Sequence, residues 1–434
     1  MLEQRTLPNP WNFFNLRASP YWQDPLGDGD TSHPLSLFRG RAEQLTKLFN
    51  GLAGAGHSSS RRAIAGAPGV GKTTLVKQFK ATALNHGYLT ADGFVAIVAN
   101  ETTDGLFGRV LSAVYDIILA NRPATVDSPA MQDAQVLVRA SRERLRGGGF
   151  SAAGIGASLS QGVTTTTPRE ILIDGPRVLR DLMTLVGTSD AHGLVLHINN
   201  LENLSEADAA RAGQVLRDLR DPMLMHNGLH VIIAGTADAV QAALSEPQVR
   251  TTFSVIPLPP MTLQELHELL VARYSHLQLH DAEPLIPPVD HDTVTRVYEL
   301  FRGDLRGLLK ALEDGVAPNI GLNGERRPLT FGELRHVLQA RYQDEINALN
   351  EDVRADQLMA WGNTAPEAEQ TQKSLADLWT LSQPAVSQAL AWLVRRGYVM
   401  PLPRNGGRQT RYALTGVSRL IFGAMITPSD PSTI

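Results

Sequence analysis

The sequence predicts an α/β fold: a three-layer core with a parallel sheet between helices, then a helical region, then a C-terminal helix-turn-helix with a hairpin. Three observations lead there. Residues 94–99, 193–198 and 229–234 are short, continuous apolar runs, the composition of strands buried on both faces. Helical patterns separate these runs, as parallel crossovers require. The lead-in Ala63, Ile64, Ala65 passes directly into Gly66-Ala67-Pro68-Gly69-Val70-Gly71-Lys72-Thr73-Thr74, which has the spacing G-x-x-x-x-G-K-[ST] of a phosphate-binding loop.

A helix opens immediately behind that loop, at Leu75, Val76 and Phe79. Its glycines let the backbone fold round a polyphosphate without Cβ clashes, and N–H groups at a helix start attract anions. Lys72 is placed to reach β- and γ-phosphates, and Thr73 to offer its hydroxyl to Mg²⁺. The expected cofactors are ATP or ADP with Mg²⁺. They would be held by Gly66, Pro68, Gly69, Val70, Gly71, Lys72, Thr73 and Thr74, with Thr73 as the metal position.

A chain of 434 residues has room for two to four compact units. Its 43% hydrophobic content suffices for buried cores and argues against disorder. The net charge of −4 announces no nucleic-acid partner, so any basic surface has to be local. The absence of cysteine excludes disulfides, iron–sulfur clusters and thiolate zinc sites. The twelve histidines include no H-E-x-x-H pair. The first residues lack the apolar core of a signal peptide, and no run approaches the length of a membrane span. The expectation is a cytoplasmic protein with no membrane partner.

Residues 1–33 read as an N-terminal arm rich in Pro, Asn, Asp and aromatics. Trp11, Phe13, Phe14, Tyr21 and Trp22 either dock it on its own domain or offer it to a protein partner. Gly40, Arg41 and Glu43 then precede a helical pattern, where a turn can cover an adenine base. With the loop behind them, these residues resemble the AAA+ ATPases, in particular the branch of replication initiators and STAND-type signalling ATPases. Gly40 and Arg41 match that family's Gly-Arg-x-x-Glu element, whereas Glu43 falls one position early.

The resemblance covers about residues 34–345 and implies a nucleotide-binding core over 34–258 and a helical lid over 259–348, opened by a capping box from Thr262 to Glu265. In the family, the strand matching 193–198 ends in an Asp that holds Mg²⁺ through water and a Glu that polarises the attacking water. Asn199 and Asn200 stand there instead, with Glu202 two residues on. An amide is neutral and cannot act as a base, so nucleotide binding with slow hydrolysis is expected. His197, on the same strand, reads as a core histidine facing a satisfied partner. The resemblance also makes Thr236 the polar residue ending its strand that senses nucleotide. It makes Arg306, in Arg302-Gly303-Asp304-Leu305-Arg306, the lid arginine that touches the γ-phosphate. Arg250 is either the arginine that reaches a neighbouring subunit's nucleotide in a homo-oligomer or an ordinary helix-capping arginine. Residues 147–168, rich in Gly, Ser and Thr, are either a solvent-exposed loop or an insertion reaching DNA or a protein partner.

Residues 349–370 are polar and acidic, a linker in character. Then come a short helix over 374–380, a turn at 381–382 and a second helix over 383–397, with Ser382 as its cap and Pro384 in its first turn. Val386, Leu390, Leu393 and Val394 make one buried stripe, which leaves Gln383, Ser387 and Gln388 free to meet base edges. Two strands about the Asn405-Gly406 turn follow. Residues 371–425 resemble a MarR-type winged helix, with 426–434 as a tail. They carry seven basic residues (Lys373, Arg395, Arg396, Arg404, Arg408, Arg411, Arg419) against Asp377, a local +6 in a chain of −4. Arg396, Arg404, Arg408 and Arg411 suit the phosphates or minor groove of double-stranded DNA. Protein contact alone is the other use of such a module. The combined layout resembles initiator-type ATPases and implies an ATP-controlled DNA-binding switch in DNA replication, transposition or mobile-element defence. The rivals are a STAND-like signalling or transcriptional regulator and a hydrolysis-dead scaffold that keeps its nucleotide.

Overall fold

The computed structural model describes residues 9–27, 29–55, 58–147, 171–188, 190–319, 326–348, 352–364, 366, 368–402 and 410–423. These fall into two compact units, one formed by 25–259 and the other by residues up to 24 together with those from 260 onward.

In the 25–259 unit the chain runs α1 (Ala42–Ala55), β1 (Arg61–Ala65), α2 (Lys72–Asn85), β2 (Tyr88–Leu89), β3 (Val95–Ala96), α3 (Thr103–Asn121), α4 (Pro129–Gly147), α5 (Ile171–Thr188), β4 (Gly193–Asn199), α6 (Glu206–Asp218), β5 (Leu229–Gly235), α7 (Ala237–Ala243), α8 (Pro247–Arg250) and β6 (Ser254–Pro257). The six strands form one sheet in the order β2-β4-β5-β1-β6, with β3 pairing the end of β4, and every pairing is parallel. Every residue of β4 and of β5 is buried, which is why both read as unbroken apolar runs. Alternate residues of β4 serve different layers. Leu194, Leu196 and Ile198 pack with α3, α4, α5 and α6, whereas Val195 joins the cluster of α1 and α2 through Leu48, Leu75 and Phe79.

One sequence boundary shifts. The apolar run 94–99 makes ladder pairs only at Val95 and Ala96, and Phe94 is 45% exposed. The chain then turns because the Glu101 carboxylate accepts from the Val98 and Thr102 N–H groups, each at 3.1 Å. Helix α5 carries Pro176 in its second turn, where the missing N–H removes a single hydrogen bond. Most of the Gly/Ser/Thr-rich stretch expected over 147–168 lies outside the described residues.

In the other unit α9 (Leu263–Leu277), α10 (His291–Leu300), α11 (Leu305–Val316) and α12 (Phe331–Ala348) lead into α13 (Asp352–Thr364), β7 (Gln370–Thr371), α14 (Gln372–Trp379), α15 (Gln383–Arg395), β8 (Val399–Leu402), β9 (Arg411–Leu414) and α16 (Gly416–Phe422). The capping box from Thr262 to Glu265 opens α9. The three short strands form an antiparallel sheet ordered β7-β9-β8. One continuous apolar cluster runs from Leu266 and Leu308 in the helical region to Leu390 and Phe422 near the C-terminus.

One expectation fails here, and long-range burial is the reason. Residues 349–370 are no plain linker: α13 occupies most of them and buries Ala355, Leu358 and Trp361. The arm is docked within its own compact unit. Trp11, Phe14, Leu16 and Tyr21 are buried against Leu270, Tyr274 and Leu277. Arg273 donates to the Pro20 and Trp22 carbonyls, each at 3.0 Å, and its guanidinium lies 4.1 Å from the Trp22 ring centre. Among the described residues, no helix is long and apolar enough to cross a membrane.

Candidate functional site

The loop at the end of β1 is shaped by close approach. A Cβ on Gly66 would stand 2.8 Å from the Leu258 carbonyl oxygen, so only glycine fits between this turn and the chain leaving β6. Gly69 and Gly71 take left-handed φ values of 79° and 93°, which turn the backbone back into α2. Lys72 is the first residue of that helix and is buried, its Nζ donating to the Gly66 and Ala67 carbonyls at 3.1 Å each. Pro68 is exposed, Val70 is buried, and Thr73 and Thr74 are half-buried in the first turn. The first N–H groups of α2 have no acceptor within the helix, and Gly71 supplies no side-chain cap.

Arg41 comes to the loop as a brace, with Gly40 before it in the same turn. Gly40 and Arg41 are left-handed, at φ 70° and 64°. The buried Arg41 guanidinium donates to the Val70 carbonyl at 3.0 Å and to the Pro259 carbonyl, tying the loop to the segment after β6. Glu43 is exposed and pairs with Lys47 at 2.6 Å, so the carboxylate displaced by one position plays no part here.

Asn199 ends β4 with its side chain buried and its Oδ1 without a hydrogen-bond partner among the described residues. Its own carbonyl accepts from the Ile97 N–H at 3.0 Å. Asn200 is half-buried and left-handed, at φ 77°, and starts a short turn that includes Glu202, whose side chain lies outside the described residues. β4 is not the neighbour of the loop strand, because β5 lies between them and ends at Gly235, one residue before Thr236. The Thr236 hydroxyl caps α7 by accepting from the Ala239 N–H at 3.3 Å. Arg250 ends α8 and is exposed. Among the described residues no group of three or more histidine or carboxylate side chains could hold a metal.

Sequence reasoning missed the turn beside Asn199. Glu101 is 1% exposed and pairs with Arg109, while Arg211 Nε donates to the Glu101 carbonyl at 2.9 Å. Nothing in the sequence marks this pair, whose members meet only when α3 packs. Lys80, buried on α2, donates to the Gly93 carbonyl at 2.9 Å, and burial lowers its pKa to about 8. His197 is buried in the core as expected, but the satisfied partner expected with it is not found for Nε2, which has none among the described residues. Burial, then the nearby Lys80 charge, lowers it to about 3.

In the other unit, Arg306 is exposed in the first turn of α11, which Asp304 caps through the Gly307 N–H at 3.0 Å. Gln383, Ser387 and Gln388 are all exposed on α15, opposite the buried Val386, Leu390 and Leu393, while Val394 is only half-buried. Ser382 stands at the N-cap but makes no side-chain cap hydrogen bond. Arg396 is exposed, 5.8 Å from the Trp392 ring centre. Arg411 is exposed and pairs with Glu369 at 3.1 Å. Arg404 and Arg408 lie outside the described residues. Arg419 is removed from the basic surface altogether: it is 2% exposed, with Nε donating to the Leu300 carbonyl at 2.6 Å.

The first unit is thus a parallel α/β domain with a phosphate-loop sequence at the end of β1, an interior strand of its sheet. Residues 37–233 match the family model described as AAA ATPase domain, a span that includes the loop, Asn199 and Asn200 but stops short of Thr236 and Arg250. No curated protein matches the sequence. Solved structures similar to the chain include the Aeropyrum pernix ORC2 protein in ADPNP–ADP complexes, at 15% identity and TM-score 0.40, covering 88% of this chain and 94% of that one. The Aeropyrum pernix ORC1 protein in complex with DNA is similar at 17% identity and TM-score 0.42, covering 95% of each chain. Drosophila ORC bound to DNA is similar at 12% and 0.43, covering 97% of this chain and 95% of that one. Likenesses at these scores bear on no residue of the site.

The buried imidazole gives a pH dependence with a definite sign. In the unfolded chain His197 takes up its proton near the ordinary 6.5, whereas in the folded chain it does so only near 3. Acid therefore favours the unfolded state throughout that window, and stability rises as pH climbs from 3 to 6.5. We expect His197→Leu to flatten the dependence there, by up to about 1.4 kcal/mol per pH unit. Urea unfolding of the two proteins at pH 4.5, 5.5 and 7 measures it. Parallel curves would mean that the imidazole is hydrated in solution.

Proposed function

We propose that the chain is an ATP-binding, DNA-binding switch of the AAA+ initiator-like kind, with slow hydrolysis, acting in DNA replication, transposition or mobile-element defence. The observation that carries this reading is the loop itself: Gly69 and Gly71 in left-handed backbone deliver a buried Lys72 to the first position of α2, within a segment matching an AAA ATPase domain. A buried ammonium beside the first N–H groups of a helix suits a polyphosphate. ATP or ADP would occupy Gly66 to Thr74. Mg²⁺ would rest on the Thr73 hydroxyl, with the orphaned Asn199 Oδ1 facing its water shell, and would neutralise phosphate charge. Arg41 then holds the loop in shape, and Thr236 and Arg306 read the nucleotide. Arg250, exposed, is the residue offered to a second copy in a homo-oligomer, and residues 147–168 are the insertion offered to DNA or a protein partner.

Residues 371–425 act as a winged helix on double-stranded DNA in the cytoplasm. Gln383, Ser387 and Gln388 on α15 face base edges, while Arg396, Arg404, Arg408 and Arg411 meet phosphates. The exposure of these α15 side chains opposite a buried stripe supports the assignment.

Lys72→Ala should abolish ATP binding measured by calorimetry, because the loop loses its cation. Unchanged affinity would remove the whole scheme. Turnover separates the readings further. With amides at Asn199 and Asn200, no carboxylate lines up the water, so native ATPase should be slow, and Asn199→Asp with Asn200→Glu should raise it. If Glu202→Gln stops a brisk native ATPase, Glu202 is the working carboxylate and the slow-switch reading is wrong. Ligand-gated assembly without DNA stimulation would favour the signalling rival. On the DNA side, Arg404→Ala with Arg408→Ala should weaken duplex binding at all sequences and reduce the salt slope by roughly two, about one for each phosphate no longer neutralised. Fluorescence anisotropy from low to high salt reads both, and no change in either would make the module a protein-binding one.

A further inference from the structure

Helix α10 ends in a tight turn that is hydrogen-bonded throughout. Arg302 and Gly303 are left-handed, at φ 51° and 79°. The Gly303 N–H donates to the Tyr298 carbonyl at 3.2 Å and the Asp304 N–H to the Phe301 carbonyl at 3.0 Å. Within this turn the Phe301 ring, 5% exposed, lies between two glycines far apart in sequence. A Cβ on Gly307, next to Arg306 in the first turn of α11, would stand 2.6 Å from Phe301 Cδ1. A Cβ on Gly416, the first residue of α16, would stand 2.4 Å from both Cγ and Cδ1 of the same ring. Neither glycine has a positive φ, so each is required by space rather than by backbone freedom.

Two further contacts hold this clamp. On the α16 side, the buried Arg419 donates to the Leu300 carbonyl, one residue before Phe301. On the other side, Gly303 lies so close to Pro260 that an added Cβ would meet the proline Cβ at 2.2 Å, and Tyr298 Oη donates to the Met261 carbonyl at 3.0 Å. The turn therefore touches the segment just before α9, the helix carrying Arg306, and the helix that closes the small C-terminal sheet module.

We infer that Phe301 is a positioning residue that locks the Arg306 helix to the C-terminal DNA-reading module, so that nucleotide and DNA affinities are coupled through this ring. The inference rests on the reading of Arg306 as the residue that senses the γ-phosphate. A ring packed against two backbones cannot yield locally, since close-packed interiors transmit a displacement rather than absorb it. A shift of the start of α11 is therefore a shift of α16. Along this route Asp304 caps α11, Gly307 and Gly416 grip the ring, and Arg419 ties α16 back to Leu300.

The test uses the full chain and a fluorescein-labelled duplex, with anisotropy read at saturating non-hydrolysable ATP analogue and at saturating ADP. The native protein should show DNA affinities differing by about fivefold or more between the two nucleotides, the lower end of ordinary allosteric coupling. Phe301→Leu should bring that ratio close to one while nucleotide affinity by calorimetry is unchanged, and Arg306→Ala should do the same to the ratio. Adding Gly416→Ala to Phe301→Leu returns a methyl to the space the ring left and should restore part of the ratio, which a merely destabilising change would not do. A native ratio near one removes the switch reading and this inference with it. A native ratio that Phe301→Leu leaves intact overturns the inference alone. Should Phe301→Leu fail to fold, Phe301→Met removes the same ring while keeping most of its volume, and its ratio is read by the same criterion.

Discussion

A buried ammonium sets the terms for the phosphate-loop unit. Lys72 is 6% exposed, and its Nζ donates to the carbonyls of Gly66 and Ala67. Taking an ion of this size out of water costs several kcal/mol before its new partners compensate it. The fold maintains that arrangement by packing around it. Gly66 fits under the Leu258 carbonyl, Arg41 holds the Val70 and Pro259 carbonyls, and β1 is flanked on both sides by parallel neighbours. A loop braced on this scale is shaped before any anion arrives, so little of the binding energy goes into ordering it.

The other unit follows a different rule. Its helical region and its C-terminal module share one apolar cluster, and basic side chains serve that packing as well as the surface. Arg419 sits among buried residues of α16, and Arg335 reaches the Gly423 carbonyl from α12. The local charge of 371–425 therefore overstates the field available to a polyanion, because one of its arginines is internal. What remains exposed, Arg396 and Arg411 among the described residues named as DNA contacts, lies at the end of α15 and the start of β9.

What was legible in the sequence was local. The loop, the runs that became β4 and β5, the capping box at Thr262 and the exposed face of α15 all follow from short-range spacing. What was not legible depended on partners far along the chain. α13 reads as a polar linker because its apolar residues are few, yet Ala355, Leu358 and Trp361 recur every third residue and are all buried. The arm's aromatics announce a docking surface, but not that Tyr274, 253 residues beyond Tyr21, provides it. Arg419 looks like any other arginine as sequence, yet it proves internal. Nor does any pattern place β5 between β1 and β4, since strand order is a long-range property.

The amides at the end of β4 are where fold and function constrain each other most directly. A carboxylate at position 199 would end a strand that is buried along its whole length, and it would need a cation to offset its desolvation. Asn199 leaves one unsatisfied acceptor instead, a cost of about 1–3 kcal/mol, well below that of an unpaired buried charge. Before any metal binds, the amide is therefore the less costly of the two. The same exchange removes the group that would bind the metal's waters most firmly and the base that would activate the attacking one. In the proposed switch, stability of the fold before binding and persistence of the nucleotide after it would then share a single cause.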